Sequence, residues 1–91
     1  SYTQHYMRKN KIQLTPQIDV DNVLATLTEK YKSENITTID GVKIDLPTEW
    51  VHLRKSNTEP IIRIYTEAPT QTEADILAER FVKELKEIAG I

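Results

Sequence analysis

The chain has no cysteine, one tryptophan, one phenylalanine, one methionine and only two glycines in 91 residues. Without thiols it can hold neither a disulfide framework nor a thiolate metal site. That composition fits a cytoplasmic protein, which is the location expected from it. No apolar run approaches the roughly 18–20 residues of a membrane span. The first residues lack the apolar stretch of a signal peptide. They open Ser-Tyr rather than Met, which reads as a domain excised from a longer product. A dominant charge is also missing. Twelve cations stand against 14 acids, a net charge of −2, and this disfavours a general binder of nucleic acid or anionic membranes.

What is present is a soluble, globular composition, 38% hydrophobic and 29% charged. A chain of this length makes one domain, spanning 1–91, and such a domain buries roughly 60–65% of its unfolded surface. Charge is unevenly spread. Arg8, Lys9 and Lys11 lie in an N-terminal stretch without acids, and Arg54, Lys55 and Arg63 cluster around Glu59.

Hydrophobic periodicity then gives the elements. Ile12 and Leu14 alternate with polar neighbours, predicting a strand at about 9–14 before the Thr15-Pro16 break. Val20, Val23, Leu24, Leu27 and Tyr31 recur at helical spacing, predicting a helix over 19–33. Asp19 is suited to its N-cap, and Ile18 and Val23 to a hydrophobic staple. Asp21 reads as a second helix-start acid. From Ile36 the period becomes two. Strands are expected at about 36–39, 42–46, 49–55 and 61–67. Asp40-Gly41 signals a two-residue type I′ hairpin, which needs positive φ at both central positions. Val51 and Leu53 share one strand face, with Trp50, His52 and Arg54 on the other. In the last strand Ile62 and Ile64 point inward, and Ile61, Arg63 and Tyr65 outward. Finally Thr70-Gln71-Thr72-Glu73 is a capping box. It opens a helix to about residue 89 with the stripe Ala74, Leu77, Ala78, Phe81, Leu85 and Ile88, closed by Gly90. The order β-α-β-β-β-β-α implies an α+β fold, an antiparallel sheet with two helices on one face.

Between the last two strands lies Arg54-Lys55-Ser56-Asn57-Thr58-Glu59-Pro60. A phosphate needs convergent donors, preferably including an Arg that bonds two oxygens at once. Arg54 supplies the fork, Ser56 and Thr58 hydroxyls, and Asn57 an amide. A tight turn can add backbone N–H groups as an anion nest. Pro60 fixes the exit into the next strand. On composition alone these are also ordinary turn residues.

The pattern Arg-x-Ser-Asn-Thr-Glu-Pro followed by x-x-Arg-x-Tyr-x-Glu-Ala resembles the phosphate-binding loop of the phosphohexomutases, the phosphoglucomutase/phosphomannomutase superfamily. The resemblance implies the last of four domains, with a TATA-box-binding-protein-like α+β fold. It implies a role in holding the phosphate of a hexose phosphate through Arg54, Ser56, Asn57 and Thr58. Arg63 and Glu59 are then possible supports, Glu59 through its carboxylate, while Lys55 sits at a variable, solvated position. The parent enzyme interconverts hexose 6-phosphate and hexose 1-phosphate through a bisphosphorylated intermediate. Its phosphoserine and Mg2+ sites lie in other domains of the same polypeptide, so this domain alone is expected to be inactive. The family often has Gly where Asn57 stands. Asn tolerates the left-handed region, and its presence points toward the phosphomannomutase/phosphoglucomutase branch.

His5 and His52 are far apart with no third ligand, and read as surface or sheet-face residues. Trp50 and Tyr65 read as packing residues. The alternative is a free-standing α+β nucleic-acid or protein-binding module using Trp50, His52, Arg54, Arg63 and Tyr65 as a platform.

Overall fold

The computed structural model describes residues 4–91, so residues 1–3 of the expected domain lie outside the described part. The elements are β1 (Tyr6–Gln13), α1 (Val20–Lys30), β2 (Asn35–Thr37), β3 (Val42–Asp45), β4 (Trp50–Lys55), β5 (Ile61–Ala68) and α2 (Gln71–Ala89). This is the order anticipated from the pattern. All pairings are antiparallel and the spatial order is β1-β5-β4-β3-β2. The fold is α+β, as expected.

Both helices start where their caps predict. The Asp19 carboxylate accepts from Asn22 N–H at 3.1 Å. Thr70 Oγ1 accepts from Glu73 N–H at 3.1 Å and donates to Glu73 Oε1 at 2.9 Å. Such caps satisfy donors that have no partner inside the helix. Gly90 closes α2 in the left-handed conformation, φ 79°.

One continuous core joins Val23, Leu24 and Leu27 of α1, and Tyr31 at its C-cap, to Leu77, Phe81 and Leu85 of α2. It also takes in Val42, Ile44, Val51, Leu53, Ile62 and Ile64 from the sheet. Both helices therefore cover the same sheet face. Fully burying a Leu or Phe side chain contributes about 1.5–3 kcal/mol, and Leu27, Phe81 and Leu85 are completely buried. Where the helices meet, the Tyr31 and Phe81 rings lie 5.2 Å apart. Beside them Glu84 gathers Lys30 (Nζ–Oε1 2.6 Å), the Tyr31 hydroxyl (2.6 Å) and Arg80 Nε (3.2 Å). Burial alone pushes the Glu84 carboxyl up, but bonds from Lys30, Tyr31 and Arg80 outweigh it and hold the group below its usual range.

Three local expectations change. β1 begins at Tyr6, because it pairs with β5 over eight rungs from Tyr6↔Ala68 to Gln13↔Ile61. Polar Lys9, Asn10 and Lys11 thus belong to a strand by long-range pairing. The β2–β3 connection is not a type I′ turn. Gly41 has φ 74°, but no other residue than glycine has positive φ among the described residues, and the turn spans residues 38–41. Ile61 is buried at 2% exposure although it shares the outward parity of Arg63. It sits where the β4–β5 loop folds back, so its C=O accepts from Ser56 N–H and its N–H donates to Glu59 O.

Candidate functional site

At one end of the sheet the β4–β5 loop and the β2–β3 turn face the side of α1 that carries Asp21, Leu24, Ala25, Thr28 and Glu29. A cavity of about 590 Å³ lies between them, bordered by Asp21, Thr28, Asp40, Arg54, Lys55 and Asn57 among others. Arg54 and Lys55 end β4 and point to different partners. Lys55 Nζ lies 2.7 Å from Asp21 Oδ1 on α1. Lys55 is exposed, as expected, and in addition pairs with a helix. The nearest Arg54 guanidinium nitrogen is 3.4 Å from Asp40 Oδ1 on the β2–β3 turn.

The loop is organised around one hydroxyl. Ser56 Oγ accepts from Thr58 N–H and Glu59 N–H, both at 3.2 Å. Two of the backbone donors expected in an anion nest are therefore directed at Ser56. The Ser56 and Thr58 hydroxyls stand 3.3 Å apart. The Ser56 oxygen is filled as an acceptor by these N–H groups, so in the contact between the two hydroxyls Ser56 donates to Thr58 Oγ1. The loop is closed by Ser56 N–H to Ile61 O (3.1 Å) and tied to β1 by Leu14 N–H to Pro60 O (2.7 Å). Pro60, with no N–H of its own, contributes its carbonyl.

The four expected residues are neighbours in the chain but are not all at one cavity: Arg54 lies in β4, Ser56, Asn57 and Thr58 lie in the loop that follows, and of the four only Arg54 and Asn57 border the cavity. Asn57 and Thr58 are exposed, and Ser56 is partly covered. Asn57 does not use the left-handed region, so the conformational reason for favouring Asn there does not apply. Glu59 shapes the loop through its backbone N–H and C=O, and its carboxylate makes no bond among the described residues. Arg63 lies directly across from Arg54 in the β4–β5 register, with Lys11 across from it on the other side. Like charges placed opposite one another repel, so this row of three cations favours an anion nearby.

The same register places Trp50, His52 and Tyr65 on the helix-free face. Trp50 Nε1 donates to Glu67 Oε1 at 3.1 Å, and His5 Nδ1 lies 2.8 Å from the same oxygen. All three aromatics are partly covered: Trp50 is bonded to Glu67, His52 to the Asp40 carbonyl, and the Tyr65 ring lies 6.4 Å from that of His52.

Asp21 and Asp40, the acids facing the loop, were legible only as a helix-start acid and a turn residue. Their pairing with Lys55 and Arg54 joins positions far apart in sequence. Among the described residues no group of three or more His, Asp or Glu side chains could hold a metal ion. Nor, among the described residues, is any helix long and apolar enough to cross a membrane.

Residues 9–84 match the family model described as phosphoglucomutase/phosphomannomutase, C-terminal domain. The chain is 40% identical over 87 residues to a phosphoglucosamine/phosphogalactosamine mutase of Sulfurisphaera tokodaii, covering 93% of this chain and 18% of that protein. It is 44% identical over 60 residues to a phosphomannomutase/phosphoglucomutase of Pseudomonas syringae pv. tomato, covering 66% of this chain and 13% of that protein. It is 45% identical over 64 residues to a phosphoglucomutase/phosphomannomutase of Thermococcus kodakarensis, covering 70% and 14% respectively. The chain spans less than a fifth of the length of these relatives, and they include both amino-sugar and neutral-sugar mutases.

Proposed function

The chain belongs to the phosphoglucomutase/phosphomannomutase family, as its C-terminal domain, and from this premise we propose that it grips the substrate phosphate of a hexose-phosphate mutase. The observation that carries this reading is the loop at the end of β4. It follows Arg54, which borders the cavity together with Asn57, by a turn in which the hydroxyls of Ser56 and Thr58 stand 3.3 Å apart on either side of the exposed Asn57 in sequence. These groups are donors, and the adjoining cation row adds positive potential.

The parent enzyme would be an intramolecular phosphotransferase, moving a phosphoryl group between the 6- and 1-hydroxyls of a hexose. This loop holds the phosphate that is not being transferred. Binding energy gained there aligns the reacting hydroxyl in another domain. The domain makes or breaks no bond itself. The phosphoserine and the Mg2+ that supports phosphoryl transfer belong to the rest of the polypeptide, and no step here passes through them. The ligand is a hexose phosphate, and the partners are the other domains of the same polypeptide, with no nucleic acid or membrane. The amide of Asn57 and the hydroxyls read the phosphate rather than the sugar ring, so the loop suits several hexoses.

The test is phosphate titration of the chain followed by amide resonances. Residues 54–58 should respond first and saturably. Charge-assisted bonds to phosphate contribute roughly 1.5–3 kcal/mol each, so Arg54→Ala should weaken binding about 10- to 100-fold. In the full-length enzyme the same change should lower kcat/KM for the sugar phosphate at least about tenfold. Unchanged binding and kinetics would exclude the assignment.

A further inference from the structure

The β2–β3 turn does more than connect two strands. It is folded against the end of β4 by contacts that fix Asp40 in front of Arg54. A Cβ on Gly41 would lie 2.4 Å from Leu53 O and 3.2 Å from Arg54 Cγ, so only glycine allows the turn so close. Nε2 of His52 meets the Asp40 carbonyl in a short hydrogen bond. The Asp40 carboxylate then stands 3.4 Å from the Arg54 guanidinium. Asp40 and Arg54 border the same cavity as Asn57.

The contact is close enough to neutralise and loose enough to yield. It is a single approach of 3.4 Å, with Arg54 half exposed and Asp40 more so, at 50% and 68%. The guanidinium fork is not engaged in a two-point bond. No other acid pairs with Arg54 among the described residues.

We infer that Asp40 is a resident counter-anion for Arg54, and that phosphate binds by taking its place. This rests on the phosphate-binding reading of the loop and adds a residue from a separate part of the fold. Asp40 is a positioning residue: it acts through Arg54 and does not touch the ligand. It holds the fork near the cavity while no phosphate is bound. On binding, one anion is exchanged for another, so the affinity is lower than the donors alone would give. For a loop that must take up and release phosphate repeatedly, such exchange favours release.

The test compares the wild-type chain, Asp40→Asn and Asp75→Asn in titrations with inorganic phosphate at constant ionic strength. Asp75 lies on α2, where it pairs with Arg8, and its replacement controls for net charge. Removing a competing carboxylate from an exposed pair should tighten phosphate binding about two- to fivefold in Asp40→Asn, with Asp75→Asn close to wild type. The Arg54 Nε–H resonance should differ between phosphate-free wild type and Asp40→Asn, and should coincide when both are saturated. A merely structural effect would leave it different at saturation. Equal or weaker phosphate binding by Asp40→Asn, with saturable binding by wild type, would overturn the counter-anion role and leave the function intact. Absence of saturable binding at residues 54–58 in wild type would overturn both.

Discussion

The two glycines of the chain provide a controlled comparison. Gly41 and Gly90 have nearly the same backbone, φ 74° and 79°. Replacing either with Ala forces an L-residue into the left-handed region, at a cost of about 1–2 kcal/mol. Each substitution also restricts the unfolded chain to a similar extent, which offsets part of that cost. The surroundings differ. A Cβ at Gly90 meets nothing within 4 Å, whereas one at Gly41 falls 2.4 Å from the Leu53 carbonyl oxygen. That oxygen belongs to the backbone of a central strand and cannot swing away, so the turn itself must lift. Overpacking of this kind costs a further ~1–3 kcal/mol. Gly90→Ala should therefore destabilise by about 1 kcal/mol, and Gly41→Ala by roughly 2–4 kcal/mol. The larger loss is a sizeable part of the roughly 5–15 kcal/mol that holds a typical domain folded. Urea denaturation followed by Trp50 fluorescence gives both values from the same baseline. If the two variants lose stability within about 0.5 kcal/mol of each other, the inferred packing of the turn on Leu53 is wrong. Displacement of the turn should also disturb Arg54, so phosphate binding should change in Gly41→Ala but not in Gly90→Ala.

The acid limb of stability should depend on Glu84. Its folded carboxyl is held below the usual range, so it contributes stability above its unfolded pKa that is lost as pH falls through the folded value. Glu84→Gln should flatten the decline in urea midpoint below about pH 4.5, and an unchanged acid limb would contradict the clamp between α1 and α2. Ser56→Ala should act on more than one donated bond, since Thr58 and Glu59 N–H both end on its oxygen. Faster hydrogen exchange at those two amides, together with phosphate binding weakened about tenfold or more, is the expected outcome; full protection in the variant would show that the hydroxyl does not organise the loop.

Much of this fold can be read locally because its signals are local. Asp19 and Thr70 mark helix starts through side chains that bond three residues on, and the apolar stripes of both helices face the core they predict. Alternation located β3, β4 and β5 for the same reason. β1 was harder. Lys9, Asn10 and Lys11 carry no apolar signal, and their strand exists because β5 offers partners more than 50 residues away. The turn at Gly41 failed in detail because a two-residue motif does not specify how the turn packs on β4. For the candidate site, the residue types of the loop were legible, along with Arg54, Ser56, Asn57 and Thr58 as neighbours. What they bond to was not. Ser56 as an internal acceptor is a matter of loop conformation, and Asp40 and Asp21 reach their cations only after the sheet and α1 assemble.

The strand order has a last consequence, for how copies of this molecule behave toward one another. The sheet is open, with β1 at one side and β2 at the other. An exposed strand edge invites pairing with another chain. Here β2 is only three residues long and offers little template. The long edge, β1, carries Arg8, Lys9 and Lys11 in succession around Asn10. Arg8 is paired with Asp75, but a second copy docking there edge to edge would still bring Lys9 and Lys11 of both copies, four lysines, together at one seam. The basic N-terminal strand thus guards the sheet against growing into a larger one, and it does so most strongly at low salt, where charges repel over longer distances.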